Sequence, residues 1–139
     1  MQRVIVDTGP LVAILDRSDR HHAACVETLR QIRTPLISVW PVITEASHLL
    51  AFSHAAQDAL LELIADGTIA IESLTLDDVA RVRELAASYA DLPMDLADAA
   101  LVCVAERLKL RTIFTTDRRD FSVYRGKRNA RFRLLPAGR

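Results

Sequence analysis

Short apolar runs and segments of helical periodicity alternate along this chain, and that alternation restricts the folds open to it. Five runs have the length and composition of strands: Arg3 to Val6, Leu36 to Val39, Ile69 to Ile71, Thr112 to Thr116 and Phe132 to Leu135. Strands separated by helices are typical of parallel sheets, because each parallel connection must cross over the sheet. The sequence therefore predicts an α/β domain: three layers, α/β/α, around a mostly parallel sheet of four or five strands.

The segments between these strands carry apolar residues at helical spacing and end at residues that stop helices. The predicted helices are Leu11 to Leu15, Ser18 or Asp19 to about Arg33, Pro41 to about Phe52, Ala55 to Ala65, Leu76 to Tyr89 and about Met94 to Leu108. The apolar residues expected to face the core are Ala24, Leu29, Ile32, Leu60, Leu61, Ile64, Val79, Val82, Leu85 and Ala86.

Length and composition indicate one globular domain over residues 1–139. Half of the residues are hydrophobic and 26% are charged, which is enough apolar material for a core without disulfides or a structural metal. The stretch from Ala99 to Ala105 is among the longest apolar runs, far short of the roughly 20 residues that a membrane span requires. The first residues do not have a signal-peptide pattern, so we expect a cytoplasmic protein with no membrane partner.

The formal net charge is zero, yet the charges are unevenly distributed along the chain. Residues 1–117 carry 10 basic and 17 acidic side chains, whereas residues 118–139 carry 8 basic side chains and a single acid, Asp120. Such a division predicts two electrostatic roles within one domain.

Five carboxylates are placed where the predicted topology would bring them to one edge of the sheet. Asp7 and Asp117 lie at the carboxyl ends of strands, and Glu45 lies near the start of the helix that follows the second strand. Asp95 and Asp98 are three residues apart at a helix start and so share one face. Because open parallel sheets bind ligands at the carboxyl ends of their strands, we expect a shared crevice there.

Each acid also has a purely structural interpretation. Asp95 could cap its helix, Asp7 could begin a turn, and Glu45 or Asp117 could be solvated surface residues. Taken together, however, clustered carboxylates repel one another unless a cation lies among them. An all-oxygen ligand set favours Mg²⁺ or Mn²⁺, ions that activate water and stabilise charge on phosphate, so the pattern indicates phosphodiester hydrolysis.

Four short motifs, in this order, resemble the PIN-domain family, and within it the VapC-like toxin ribonucleases of bacterial toxin-antitoxin pairs. The motifs are Val4-Ile5-Val6-Asp7-Thr8, Trp40-Pro41-Val42-Ile43-Thr44-Glu45, Pro93-Met94-Asp95-Leu96-Ala97-Asp98-Ala99 and Ile113-Phe114-Thr115-Thr116-Asp117 with Asp120-Phe121 behind it. Each motif is weakly specific, but their order and spacing over nearly the whole chain are specific.

The resemblance implies a PIN-like fold, an endoribonuclease activity and a set of site residues. It implies that Asp7, Glu45, Asp98 and Asp117 bind the metal, that Asp95 is auxiliary, and that Thr116 is the hydroxyl preceding the last acid. We expect Asp7 and Asp98 to hold the principal ion, and Thr8 and Thr116 to contact water or phosphate. The resemblance also implies two protein partners, a VapB-like antitoxin and a second copy of the chain in a homodimer.

The basic segment after Asp117 is a candidate for binding the RNA backbone, beginning with Arg118 and Arg119. Contacts with about four phosphates would give a salt dependence with a slope of roughly −3 in log K against log salt. Phe121, Tyr124 and Phe132 are the only aromatic residues nearby, and Phe121 and Phe132 are expected in the core. We therefore expect recognition by RNA shape and backbone more than by base stacking. Alternatively, the arginines only aid solubility or pair with acids elsewhere.

Three other functions stay open on the sequence alone. A phosphatase or phosphotransferase would use a strand-end Asp as nucleophile together with a positioned Lys, and this chain has only Lys109 and Lys127. A non-catalytic RNA-binding or partner-binding module would keep the acids for folding. An RNA-processing nuclease outside a toxin-antitoxin pair would share the site but lack the antitoxin.

Overall fold

The central sheet is fully parallel and has five strands in the order β3-β2-β1-β4-β5. The computed structural model describes residues 3–92, 94–125 and 130–137. The strands are β1 (Val4–Val6), β2 (Leu36–Ser38), β3 (Ile69–Ile71), β4 (Thr112–Phe114) and β5 (Arg133–Leu135). All five predicted strands are present within a residue or two of their expected bounds, and the parallel sheet is confirmed.

Helices cover the sheet in two layers, as predicted for an α/β/α domain. They are α1 (Thr8–Leu15), α2 (His22–Gln31), α3 (Trp40–Leu49), α4 (His54–Ala65), α5 (Leu76–Ser88), α6 (Leu96–Leu108) and α7 (Arg118–Val123). Helices α1 to α4 contact one another, and α5 packs along α6. Helix α7 was not predicted, because its six residues are too few to show a helical period.

The core combines the strands of the sheet with buried residues of the surrounding helices. Ile5, Ile37 and Ile113, at the centres of β1, β2 and β4, are buried. Every residue of α6 from Ala97 to Ala105 is buried as well, so this helix is enclosed all round rather than amphipathic. The enclosure fixes α6, and with it the side chain of Asp98 in its first turn.

The start of one predicted helix is wrong, and four residues expected to face the core are exposed: Ala24, Leu61, Val79 and Ala86. Helix α2 begins at His22 rather than at Ser18 or Asp19, because the Asp19 carboxylate accepts a hydrogen bond from the His21 amide (2.8 Å) inside a turn. Leu61 is 54% exposed, since its neighbour Leu60 takes the inward position.

Val79 is 49% exposed, although it was expected to face the core. The first turns of α5 meet α6 through polar side chains instead: Arg81 binds Glu106 (2.7 Å), and Asp78 lies against Cys103. The spacing of apolar residues could not show that α5 contacts α6 through an ion pair near its start and buries an apolar residue, Leu85, one turn later.

None of the described helices is long and apolar enough to cross a membrane.

Candidate active site

The order of the strands creates a crevice beside β1. The chain adds β2 and β3 on one side of β1 and then returns to place β4 on the other side. At such a switch point the connections leave in opposite directions, which opens a space at the carboxyl ends of the two central strands. Asp7 directly follows β1 and Asp117 follows β4, so both acids border this space.

A cleft of about 360 Å³ occupies this edge of the sheet. Its acidic lining residues are Asp7, Asp19, Glu45, Asp95, Asp98, Asp117 and Asp120, and its other lining residues are Thr8, Gly9, Val12, Leu49 and Thr116. The structure thus brings together all five predicted acids and both predicted threonines. Asp19 is an acid that sequence reasoning did not place here, and Asp120 was noted in a motif but given no role.

Asp7 is the most deeply buried acid of the cleft, at 7% exposure. Burial raises the pKa of its carboxyl group to about 6, and the nearby charges of Glu45 and Asp117 act in the same direction. Hydrogen bonds from the Thr8 backbone and the Thr115 hydroxyl oppose that rise. Asp7 is therefore a carboxylate held where its negative charge is poorly solvated.

Asp98 is the second buried acid, in the first turn of α6. Burial raises its pKa to about 7, reinforced by the charges of Asp95 and Asp7. The Asp95 carboxylate accepts a hydrogen bond from the Asp98 amide (2.8 Å), so the helix-capping interpretation of Asp95 is correct. Asp95 also lines the cleft, so the same side chain caps α6 and contributes to the acidic lining.

The remaining acids of the cleft are less buried than Asp7 and Asp98. Glu45 is exposed on α3, and the pKa of its carboxyl group is raised by partial burial and by the charge of Asp95. Asp117 caps α7 by accepting a hydrogen bond from the Asp120 amide (3.2 Å). Burial, together with a hydrogen bond to Asp117, raises the pKa of Asp120.

Thr115, rather than Thr116, is the hydroxyl that joins the acids. Its fully buried Oγ1 donates to Asp7 Oδ2 (2.9 Å) and accepts from the Asp117 amide (2.9 Å). Sequence reasoning missed it because the two threonines are adjacent and only the course of the chain after β4 decides which one faces Asp7. The Thr-x-Asp spacing was the signal that could have found it.

The Thr8 hydroxyl is buried in the cleft wall and has no hydrogen-bond partner among the described residues. An unpaired buried hydroxyl costs free energy unless a ligand or water satisfies it. Gly9, next to it, allows α1 to approach β4: a Cβ at this position would overlap Thr116 Oγ1.

The cleft offers only oxygen donors from its charged residues, which fits a hard divalent cation and not a soft one. No three Asp, Glu, His or Cys side chains of the described segments stand in a ready-made ligand arrangement. Burial raises the pKa values of Asp7 and Asp98, and the charges of neighbouring acids add to that effect, a repulsion that a bound cation would offset.

The basic C-terminal segment is divided rather than gathered beside the cleft. Arg118 and Arg119 are exposed at the start of α7 and do not line the cleft, and Arg118 Nη1 donates to the Pro136 carbonyl (2.6 Å). Arg133 begins β5 beside Thr112, which places it toward the amino edge of the sheet, opposite the acids. Lys127, Arg128 and Arg139 lie outside the described residues.

The aromatic side chains near the basic segment offer little surface for stacking on bases, as expected. Tyr124 is fully buried and is not available to stack on bases. Phe121 is buried, as predicted, and Phe132 packs against the core while remaining partly exposed.

The fold and the site together define a class of protein: a parallel α/β/α domain with an acidic cleft at its topological switch point. Residues 4–127 match the PIN domain, and the chain belongs to the PIN-domain family, which confirms the resemblance of its motifs. The chain is 31% identical over 135 residues to Ribonuclease VapC26 of Mycobacterium tuberculosis, an alignment covering 96% of this chain and 100% of that protein.

Solved structures with the same fold include VapC20 of Mycobacterium tuberculosis, a toxin that cleaves the sarcin-ricin loop. It matches with a TM-score of 0.77 and 17% identity over 84% of this chain and 91% of that one. VapBC2 from Rickettsia felis, bound to promoter DNA, matches with a TM-score of 0.67 and 14% identity over 96% of this chain and 98% of that one. A toxin-antitoxin complex from Klebsiella pneumoniae matches with a TM-score of 0.67 and 20% identity over 86% of this chain and 91% of that one.

Proposed function

We propose that this protein is a metal-dependent endoribonuclease that hydrolyses RNA phosphodiester bonds, and that it is the toxin of a toxin-antitoxin pair. The observation that carries the proposal is the acidic cleft, in which two buried carboxyl groups have pKa values raised to about 6 and about 7. Membership of the PIN-domain family and the relative named Ribonuclease VapC26 support it.

Asp7 and Asp98 are the proposed ligands of the principal Mg²⁺ or Mn²⁺, since they are the buried acids of the cleft. Glu45 and Asp117 would orient water or complete a second site, with Asp95 in support. When bound, such an ion lowers the pKa of water and offsets the charge that develops on the phosphate. The protein's own contribution is to hold these carboxylates together against their repulsion.

The threonines and the first arginines of α7 are the proposed substrate contacts. The Thr8 hydroxyl, which has no partner in the described part of the chain, can donate to a phosphate oxygen or to water in the cleft, and Thr116 lines the same cleft. Arg118 and Arg119, exposed beside Asp117, can pair with flanking phosphates. With Tyr124 buried, recognition through RNA shape and backbone is favoured over base stacking.

The proposed protein partners are a VapB-like antitoxin and a second copy of the chain. The antitoxin is supported by structural neighbours that are VapBC complexes. An enzyme that acts on cellular RNA works in the cytoplasm, which is the location we propose.

The decisive experiment is cleavage of end-labelled single-stranded RNA by the purified chain. We expect cleavage in Mg²⁺ or Mn²⁺, loss of cleavage in EDTA and recovery when the metal is returned. Asp7→Asn should reduce cleavage to background with an unchanged circular dichroism spectrum. Asp58→Asn, the same substitution at an exposed acid of α4 outside the cleft, is the matched control and should cleave normally.

Other outcomes identify the alternatives. Full RNA cleavage by Asp7→Asn would sink the site assignment, and RNA that is bound but never cut would indicate a binding module. Hydrolysis of para-nitrophenyl phosphate in preference to RNA would indicate a phosphatase. A short upstream reading frame for a DNA-binding protein is expected for a toxin, and its absence would favour an RNA-processing nuclease.

A further inference from the structure

Asp98, one of the two buried acids, is in contact with another buried side chain, Tyr124. Tyr124, fully buried, donates a hydrogen bond from its hydroxyl group to Asp98 Oδ2 (3.1 Å). It belongs to the segment directly after α7, whereas Asp98 belongs to α6. The contact therefore links two elements that meet only through the tertiary fold.

Two aromatic neighbours fix the Tyr124 ring. Phe121 packs edge-on at a centroid distance of 5.2 Å with an interplanar angle of 82°, and Tyr89 packs at 5.0 Å and 67°. Edge-to-face pairs of this kind favour one ring orientation over others. The hydroxyl group is thereby aimed at Asp98, with little freedom to turn away.

We propose that Tyr124 is a positioning residue for divalent-metal binding: its hydroxyl group holds the Asp98 carboxylate in the orientation that accepts the ion. The inference rests on the proposed function, because it takes Asp98 as a ligand. Without that hydrogen bond, repulsion from Asp95 and Asp7 would act on a carboxylate free to rotate. Partners behind metal ligands restrict ligand orientation in this way, and their loss typically weakens binding about 10- to 100-fold.

Tyr89→Phe supplies a matched control for Tyr124→Phe. Both changes remove one hydroxyl group and keep a ring in the same aromatic cluster. The Tyr89 hydroxyl accepts a hydrogen bond from the Arg125 amide (2.8 Å), whereas only the Tyr124 hydroxyl touches an acid of the cleft. Calorimetric titration with Mg²⁺ should show affinity at least about 10-fold weaker in Tyr124→Phe and unchanged in Tyr89→Phe.

The chain contains only these two tyrosines, which permits a test in the unsubstituted protein. Fluorine-labelled tyrosine gives two ¹⁹F resonances, and the spectrum of Tyr89→Phe assigns them. Titration with Mg²⁺ should move the Tyr124 resonance more than the Tyr89 resonance, with the dissociation constant found by calorimetry. This measurement holds even if Tyr124→Phe fails to fold.

Unchanged Mg²⁺ affinity in a folded Tyr124→Phe, or a Tyr124 resonance that does not move while calorimetry records binding, overturns the inference alone. An unsubstituted chain that binds no Mg²⁺ overturns the proposed metal dependence, and the inference with it.

Discussion

Asp7 and Thr115 show how much of the site depends on single side chains that are far apart in sequence. The sequence identified Asp7 by its place at the end of a β-branched run, but not the buried hydroxyl group that donates to it from the end of the neighbouring strand β4. Thr115 also accepts from the Asp117 amide, so one oxygen atom connects the acids that follow β1 and β4. Its removal would loosen both acids together.

Thr115→Val is expected to lower RNA cleavage at least about 10-fold, because outer hydrogen-bond partners of metal ligands typically contribute that much. It also leaves buried polar groups unpaired, at a cost of about 1–3 kcal/mol in the free energy of unfolding. Thr115→Ser, which keeps the hydroxyl group, is the control and should retain most activity. Equal activity in the Val and Ser variants, measured as kcat on one RNA substrate, contradicts this role.

At the scale of elements, the cleft depends on how closely α1 approaches the chain that leaves β4. Helix α1 starts directly after β1, and its second residue, Gly9, faces Thr116 with no space for a methyl group. A glycine in a helix normally costs about 1 kcal/mol relative to alanine. At Gly9 the close approach of Thr116 gives a steric reason for glycine. Thr8, the first residue of α1, places in the cleft a hydroxyl group without a hydrogen-bond partner among the described residues.

Gly9→Ala should therefore destabilise the protein by about 1–3 kcal/mol, the usual cost of overpacking, although helix propensity alone predicts a gain. Chemical denaturation of Gly9→Ala, Thr116→Ala and the double variant measures the coupling between the two positions. The double variant should recover most of the lost stability, because removing Oγ1 makes room for the added methyl group. Simple additivity of the two single effects would show that the contact is not the cause.

At the scale of the whole molecule, the buried acids make stability dependent on pH and on cations. The Asp7 carboxyl group has an ordinary pKa of 3.8 and a folded-state pKa of about 6, so folding favours its protonated form. Above pH 6 the folded state carries the full cost of the buried charge. Below pH 4 the group is protonated in both states and the cost disappears.

In EDTA, Asp7→Asn should thus be more stable than the unsubstituted chain above pH 7, by up to about 3 kcal/mol, and nearly equal to it at pH 4. Urea denaturation of both proteins from pH 4 to 8 measures this difference. Mg²⁺ should stabilise the unsubstituted chain more at pH 7.5 than at pH 5.5, since protons compete for the carboxylates. A difference between the two proteins that does not vary with pH would contradict the buried-charge account.

The distribution of charge is also a property of the whole molecule. The sequence placed the basic segment immediately after Asp117 and predicted that it would lie beside the acids. Among the described basic residues, Arg118 and Arg119 directly follow Asp117, whereas Arg133 lies at the opposite edge, because β5 runs parallel to β4 and begins there. A chain that returns to extend a parallel sheet cannot keep its whole basic tail at the carboxyl edge.

The sequence by itself determined the parallel α/β architecture and five of the seven acids that line the cleft. Alternation of strands and helices fixes strand direction, and parallel strands share one carboxyl edge, so Asp7, Glu45, Asp95, Asp98 and Asp117 were bound to meet there. Only the tertiary structure decided which neighbours hold them: Thr115 rather than Thr116 on Asp7, and Tyr124 on Asp98. Such contacts join residues up to 108 positions apart and depend on side-chain direction across the packed layers, which no local period in the sequence encodes.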